Sequence, residues 1–233
     1  MMRLDKYFSG QGVLSRTLVA EAIKRKRIAV NGVTATKKDV KIDENKDVIT
    51  LDGNPVAYKK HVYVMLNKPL GVVSATEDGK DKTVIDLLPD ELQKAGLFPS
   101  GRLDKETSGL MILTNDGVSS HKRLSPKNHV EKVYEYECIE ELSDEDKRKI
   151  EQGITLKDGY TTKPCVIENA DGYSGKITLT EGKYHEIRRL FGAVGNKITS
   201  LKRVIFGNIL LDADLESGEW RYLTKDEIKE FTK

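Results

Sequence analysis

Apolar residues recur at helical spacing at the start of the chain. Leu4, Tyr7 and Phe8 fall at i, i+3 and i+4, which predicts a helix burying one face. Ser15 is placed to cap a second helix running from Arg16 to about Arg25, with Leu18, Val19, Ala22 and Ile23 on its apolar side. Ile28-Ala-Val-Asn-Gly-Val33 then reads as two short strands around Asn31-Gly32, a strong signal for a tight hairpin. Val48, Thr50 and Leu51 lead into Asp52-Gly53-Asn54-Pro55, and that turn with Lys59-Lys60 behind it is expected to be a linker.

Past residue 60 the pattern changes to short strands alternating with short helices. Val62–Leu66 opens the segment, and Gly109–Thr114 is a nearly continuous apolar run, as in a strand buried on both faces. Lys132–Ile139 alternates, with Tyr134, Tyr136 and Cys138 on one side. Ser143 caps a helix that Gly153 stops. Ile177–Thr180 is another strand. A helix from Tyr184 to about Val194 carries Ile187, Leu190, Phe191 and Val194 on one stripe, with Gly195 as its terminator. Thr224 and Glu227 form a capping box for a last helix. Mixed order and hairpin-length turns predict an α+β fold on a mainly antiparallel sheet, not a doubly wound one.

Composition adds two points. The chain has 233 residues, a length that favours two domains, and a net charge of +2. The charge is uneven: residues 1–59 hold twelve Lys and Arg against seven Asp and Glu. A basic first quarter suits a module that binds a polyanion. No apolar run reaches the ~18 residues of a membrane span. The start lacks the apolar core of a signal peptide. With two cysteines, Cys138 and Cys165, this favours a reducing cytoplasm.

Several chemistries fall away. His185-Glu186 begins like a zinc-protease helix, but Arg189 stands where the second His belongs. The four histidines are scattered and no Cys/His cluster exists, so no metal is expected. Gly172-Tyr-Ser-Gly-Lys176 has the wrong spacing for a phosphate loop and reads as a hairpin turn. There is no Gly-x-Ser-x-Gly elbow. An enzyme built on this chain is expected to need neither metal nor dinucleotide nor any other cofactor.

What remains is Gly101-Arg-Leu-Asp-Lys-Glu-Thr-Ser-Gly-Leu110, which resembles the catalytic motif of the pseudouridine synthases. The longer stretch GLFPSGRLDKETSGLMILTNDG is similar to the branch that acts on the small ribosomal subunit, the family of ribosomal small subunit pseudouridine synthase A, or RsuA. HVYVMLNKPLGVVSAT, EKVYEYE and EGKYHEIRRLFGAVGNKITSLKR resemble that branch's opening strands, tyrosine motif and arginine motif. At the front, RLDKYFSG…SRTLVAEAIKRKRIAVNG resembles an S4 RNA-binding domain. The segments follow the family's order over nearly the whole chain.

The resemblance implies an S4 domain over 1–59 and a catalytic domain over 60–233. S4 domains usually carry Gly where Lys26 sits, so Lys26 must adopt a strained turn or let the helix run on. A Gln or similar residue often stands in the place of Glu186, which reads as peripheral to catalysis.

The activity so implied is isomerisation of a uridine in small-subunit (16S) ribosomal RNA, at the site equivalent to uridine-516. Asp104 would act at C1′ of a flipped-out nucleotide, as nucleophile or as base. On its own, an Asp in a polar turn most often bonds its own backbone. An isolated buried carboxylate needs a cation. Arg188, at the border of the helix stripe, is given that pairing, and Arg189, further toward solvent, a phosphate contact. Tyr134 corresponds to the family's active-site tyrosine; without the family, an aromatic pair with Tyr136 is the simpler reading. Arg102 would fill the gap left by the flipped base; its plain alternative is a surface salt bridge. Arg3, Lys6, Arg16, Arg25 and Arg27 are candidate phosphate contacts of the S4 segment.

The partner implied is 16S rRNA in a small-subunit assembly intermediate, and no membrane. No heptad or extra apolar stripe marks a subunit interface, so a monomer is expected. A large-subunit (23S) rRNA enzyme, a non-catalytic RNA-binding assembly factor, and a glycosidic hydrolase using Glu106 as a second acid are the alternatives.

Overall fold

A computed structural model describes residues 1–169 and 171–233. The first part of the chain holds β1 (Met2–Arg3), α1 (Leu4–Ser9), α2 (Arg16–Lys24), β2 (Ile28–Val30), β3 (Val33–Thr34), β4 (Lys41–Ile42), β5 (Ile49–Leu51) and β6 (Asn54–Pro55). Leu4, Tyr7, Phe8, Val19, Ala22, Ile23, Ile28 and Ile49 are buried together in one apolar cluster. Ser15 caps α2 by accepting from the Leu18 amide. Asn31 and Gly32 both have positive φ, 50° and 80°, and turn β2 into β3.

Lys26 takes the strained option, with φ 54° just past the end of α2. The Arg27 amide then donates back to Ala22 O, which satisfies a carbonyl the helix end would leave free. The Asp52-Gly53 turn is not a linker. Both residues have positive φ, and they close a hairpin pairing β5 with β6 inside the first module. Asp-Gly is a tight-hairpin signal in its own right, and that signal outweighs the Pro that follows. The modules touch: Asn115 Nδ2 donates to Gly10 O.

The rest of the chain forms β7 (Tyr63–Lys68), α3 (Asp90–Gln93), β8 (Phe98–Pro99), β9 (Ser108–Thr114), α4 (Gly117–Leu124), β10 (Lys132–Cys138), α5 (Asp144–Gln152), β11 (Val166–Asn169), β12 (Ser174–Leu179), α6 (Glu186–Ala193), β13 (Ile198–Phe206), β14 (Ile209–Leu210), β15 (Trp220–Tyr222) and α7 (Lys225–Thr232). These strands make one sheet in the order β11-β12-β10-β13-β9-β7-β15, with β8 beside β9 and β14 beside β13. Among the described residues every pairing is antiparallel except β9 with β13. The fold is therefore α+β on a mainly antiparallel sheet.

The pattern along the strands explains the layers. β9 is buried from Gly109 to Thr114, and α6 packs Ile187, Leu190 and Phe191 onto the face carrying Tyr134 and Tyr136. A second cluster, with Tyr63, Met65, Leu110, Ile112 and Phe206, is covered by Phe231 of α7. α6 starts two residues later than Tyr184, because His185 sits in the left-handed region at φ 48° and acts as N-cap. Among the described residues no helix is long and apolar enough to cross a membrane.

Candidate active site

Asp104 lies in the connection between β8 and β9, and its backbone is held from three sides. Ser74 Oγ donates to Leu103 O at 2.7 Å and accepts from the Leu103 amide at 3.0 Å. The Thr107 amide donates to Asp104 O, closing a turn over the residue. Lys68, the last residue of β7 and fully buried, donates to Asp104 O at 3.1 Å and Thr107 O at 2.9 Å. Burial pushes the Lys68 ammonium down to about 8, against the pull of Asp104 and Glu106. The loop is thus rigid while the carboxylate points out of it, half-exposed, with His185 Nε2 at 3.5 Å.

The strand after Asp104 meets β13 side by side. Gly109 has φ +99°, and a Cβ there would lie 2.2 Å from Arg203 O, so only glycine lets β9 and β13 approach. Arg203 is buried opposite Tyr134 across β13–β10 and donates from Nε to Leu110 O at 2.8 Å. Burial raises the Tyr134 phenol, while the charge of Arg203 and a hydrogen bond to it pull the other way. The balance is upward, so the phenol stays protonated at neutral pH. Tyr136 does not pair with Tyr134; its ring packs on Phe191, 4.9 Å away.

Asp104, Tyr134, His185, Glu186, Arg188 and Arg102 line one small pocket of about 70 Å³. A larger cavity of about 530 Å³ adjoins it and shares Arg102 and Tyr134. A groove of similar size, about 570 Å³, runs over Glu135, Lys176, Ser200 and Lys202 and contains none of the candidate residues.

The structure corrects the pairing assigned to Arg188. Its guanidinium donates to Ile198 O at 3.2 Å and Glu106 O at 2.7 Å and makes no ion pair with Asp104. Asp104 is half-exposed, so solvent meets much of the need for a counter-charge that burial would have imposed. Arg189 is not a free cation either: it pairs with Asp158 at 2.6 Å. Arg102 is exposed and in no ion pair among the described residues, which sets aside the surface salt bridge. In the first module Arg3 is engaged by Asp5 and Arg27 by Asp52, whereas Lys6, Arg16 and Arg25 are exposed and in no ion pair among the described residues. The Glu106 side chain is exposed and does not line the pocket.

Sequence reasoning missed Lys68, Arg203, His185 and the position of Glu186. Lys68 had one weak signal, a charged residue at the end of an otherwise apolar strand; Arg203, in a strand of mixed exposure, had none. Glu186 is buried in the pocket wall, accepts from the Lys183 amide at 2.7 Å, and leaves Oε1 without a partner. Burial, with the neighbouring Glu181, pushes its carboxyl up to about 7. Among the described residues no group of His, Cys, Asp and Glu is arranged to hold a metal ion.

Chemically, the pocket offers the oriented Asp104 carboxylate, the buried Glu186 carboxyl, one neutral phenol and surrounding cations. Comparisons with known proteins bear on the family of the chain. Residues 62–193 match the family model described as RNA pseudouridylate synthase. An uncharacterised RNA pseudouridine synthase of Bacillus subtilis is 43% identical, over 97% of each chain. Ribosomal small subunit pseudouridine synthase A of Escherichia coli is 39% identical, over 97% of this chain and 98% of that one. A crystal structure of a pseudouridylate synthase superposes with a TM-score of 0.70 at 34% identity, over 99% of this chain and 100% of the other. The chain is an enzyme of the RNA pseudouridylate synthase family, and within it belongs with the ribosomal small subunit pseudouridine synthase A proteins.

Proposed function

We propose that the enzyme isomerises one uridine of small-subunit (16S) ribosomal RNA, at the site equivalent to uridine-516, in an assembly intermediate. Residues 1–59 serve as an S4 RNA-binding domain and 60–233 as the catalytic domain. The observation that carries the catalytic assignment is the hold on Asp104: Lys68, Ser74 and Thr107 fix its backbone, and its carboxylate alone is left to face the pocket. Rigid placement of a reacting group is what orientation effects require.

In the reaction the C1′–N1 bond breaks, the uracil turns, a C1′–C5 bond forms, C5 loses its proton and N1 gains one. Asp104 acts at C1′, either forming the bond that replaces N1 or acting as the base. One carboxylate suffices, because the leaving uracil stays bound and becomes the attacking group. The protonated phenol of Tyr134 offers a ring to the uracil and a hydroxyl near C5. Arg102, unpaired at the rim, fills the place of the extruded base, which offsets part of the cost of flipping. The small-subunit names of relatives near 40% identity support the choice of RNA.

Mapping pseudouridines in both ribosomal RNAs, from cells with and without the gene, tests the reading. The expected result is one missing site in the small subunit. A missing site in the large subunit overturns the choice of RNA, and no missing site overturns the function.

A further inference from the structure

The cavity of about 530 Å³ beside the Asp104 pocket shares Arg102, Tyr134 and Lys183 with it. Its walls include Lys132, Arg203 and Arg123. Lys132 and Tyr134 lie two residues apart on one face of β10, and Arg203 sits across from Tyr134 on β13. Arg203 is 1% exposed, and Lys132 and Arg123 are half-buried.

None of these three cations has an ion pair among the described residues. Lys132 Nζ donates to Val130 O at 3.0 Å. Arg123 donates to the carbonyls of Phe231 and Glu230 on α7. Arg203 Nη2 is buried without a hydrogen-bond partner. The nearby carboxyls make no ion pair with these cations among the described residues, although Glu181 lines the cavity and Glu186 Oε1 has no hydrogen-bond partner. Glu181 accepts from the Lys163 amide and the Tyr160 hydroxyl, Glu186 from the Lys183 amide, and Glu230 from Lys233 and Asn208.

Gathering like charges away from water costs free energy unless an opposite charge arrives. Burial together with the charge of Arg203 holds the Lys132 ammonium down at about 8. Lys163 and Lys183 add two more cations to the lining. Such a cavity is a seat for an anion from outside, and Arg203 Nη2 is an unused donor beside it.

We propose that this cavity is a phosphate subsite, which holds a phosphodiester of the RNA strand flanking the target uridine on Lys132, Arg203 and Arg123. It rests on the reading of the chain as an RNA uridine isomerase and goes beyond it by assigning the strand's path. The wall shared with the Asp104 pocket puts the seated phosphate close to the extruded nucleotide. The contact therefore sets which uridine along the strand reaches Asp104.

The test uses the wild-type enzyme and short oligoribonucleotides spanning its mapped uridine, each with one uncharged methylphosphonate linkage. Loss of a charge-assisted contact weakens binding by roughly tenfold or more. One linkage near the uridine is expected to show that loss, while more distant ones show little. Lys132→Gln and Arg123→Gln should weaken the all-phosphate RNA by a similar factor and become indifferent to that linkage. If no single linkage stands out with the wild-type enzyme, the subsite does not exist, whatever the variants do. Undiminished sensitivity in both folded variants moves the phosphate to other residues and overturns the assignment. If the unmodified oligoribonucleotide is neither bound nor isomerised, the functional reading itself has failed.

Discussion

Arg188 and Asp104 line one pocket, yet the guanidinium of Arg188 reaches past the carboxylate to the backbone carbonyls of Glu106 and Ile198. It ties α6 to the loop after Asp104 and to the start of β13. Lysine cannot make that two-pronged contact. Arg188→Lys should lower kcat by about 10- to 100-fold with a smaller change in KM, since a misplaced group costs orientation first. Steady-state kinetics on an RNA substrate decides, and an equal fall in affinity alone would show that Arg188 only binds.

Asp104→Asn keeps the side-chain shape and removes the charge. Pseudouridine formation should fall by at least ~10³-fold while RNA binding persists. Full activity in this variant would sink the catalytic assignment.

Lys68→Met replaces a buried ammonium that donates to three carbonyls, those of Pro69, Asp104 and Thr107. Those acceptors would lose their donor, a cost on the order of 3 kcal/mol. Thermal unfolding should register it, and the residual folded enzyme should have a low kcat because the Asp104 loop has lost an anchor.

Glu186 gives a pH dependence with a definite sign. Its folded pKa, about 7, lies above the unfolded value near 4.5. Between those values the folded chain keeps a proton that the unfolded chain releases, so stability is lost as pH rises through the window. The loss is complete above it. Glu186→Gln should flatten the melting temperature against pH over that range and stabilise the protein above pH 7 by about 2 kcal/mol. Parallel curves for the two proteins would contradict the buried proton.

Lys6, Arg16 and Arg25 are the exposed, unpaired cations of the proposed S4 segment's candidates. Changing all three to Gln should reduce the slope of log affinity against log salt by about 2, with less effect on kcat. Arg3 and Arg27 already hold carboxylates, so their replacement should alter the slope less.

Helices α1, α2, α5, α6 and α7, about half of the strands and the fold class were legible because they rest on local periodicity and caps; α3, α4 and the long strand β13 were not read. Ser15, Ser143 and Thr224 cap helices where their spacing placed them. Asp52-Gly53 misled because Pro55 made a hairpin look like a break. The pocket was legible only in part. Asp104, Tyr134 and Arg102 stood out through the motif they resemble, and the structure puts them around one small space. Arg188 was misassigned because helix periodicity gives a direction, not a reach, and a long guanidinium passed the carboxylate by. Lys68 carried only a weak signal and Arg203 none, because their value comes from partners dozens of residues away, Arg203 from Leu110 across the β9–β13 junction. Glu186 looked peripheral because sequence gives no burial.

The β9–β13 junction also sets when the enzyme can work. Asp104 leads into a strand whose parallel neighbour begins at residue 198 and whose close approach depends on Gly109 meeting Arg203. Translation delivers Asp104 long before it delivers that neighbour. A growing chain that carries the whole GRLDKETSGL motif still has neither Arg203 nor α6 beside it. The active site is therefore a product of the finished fold, and competence arrives late in synthesis.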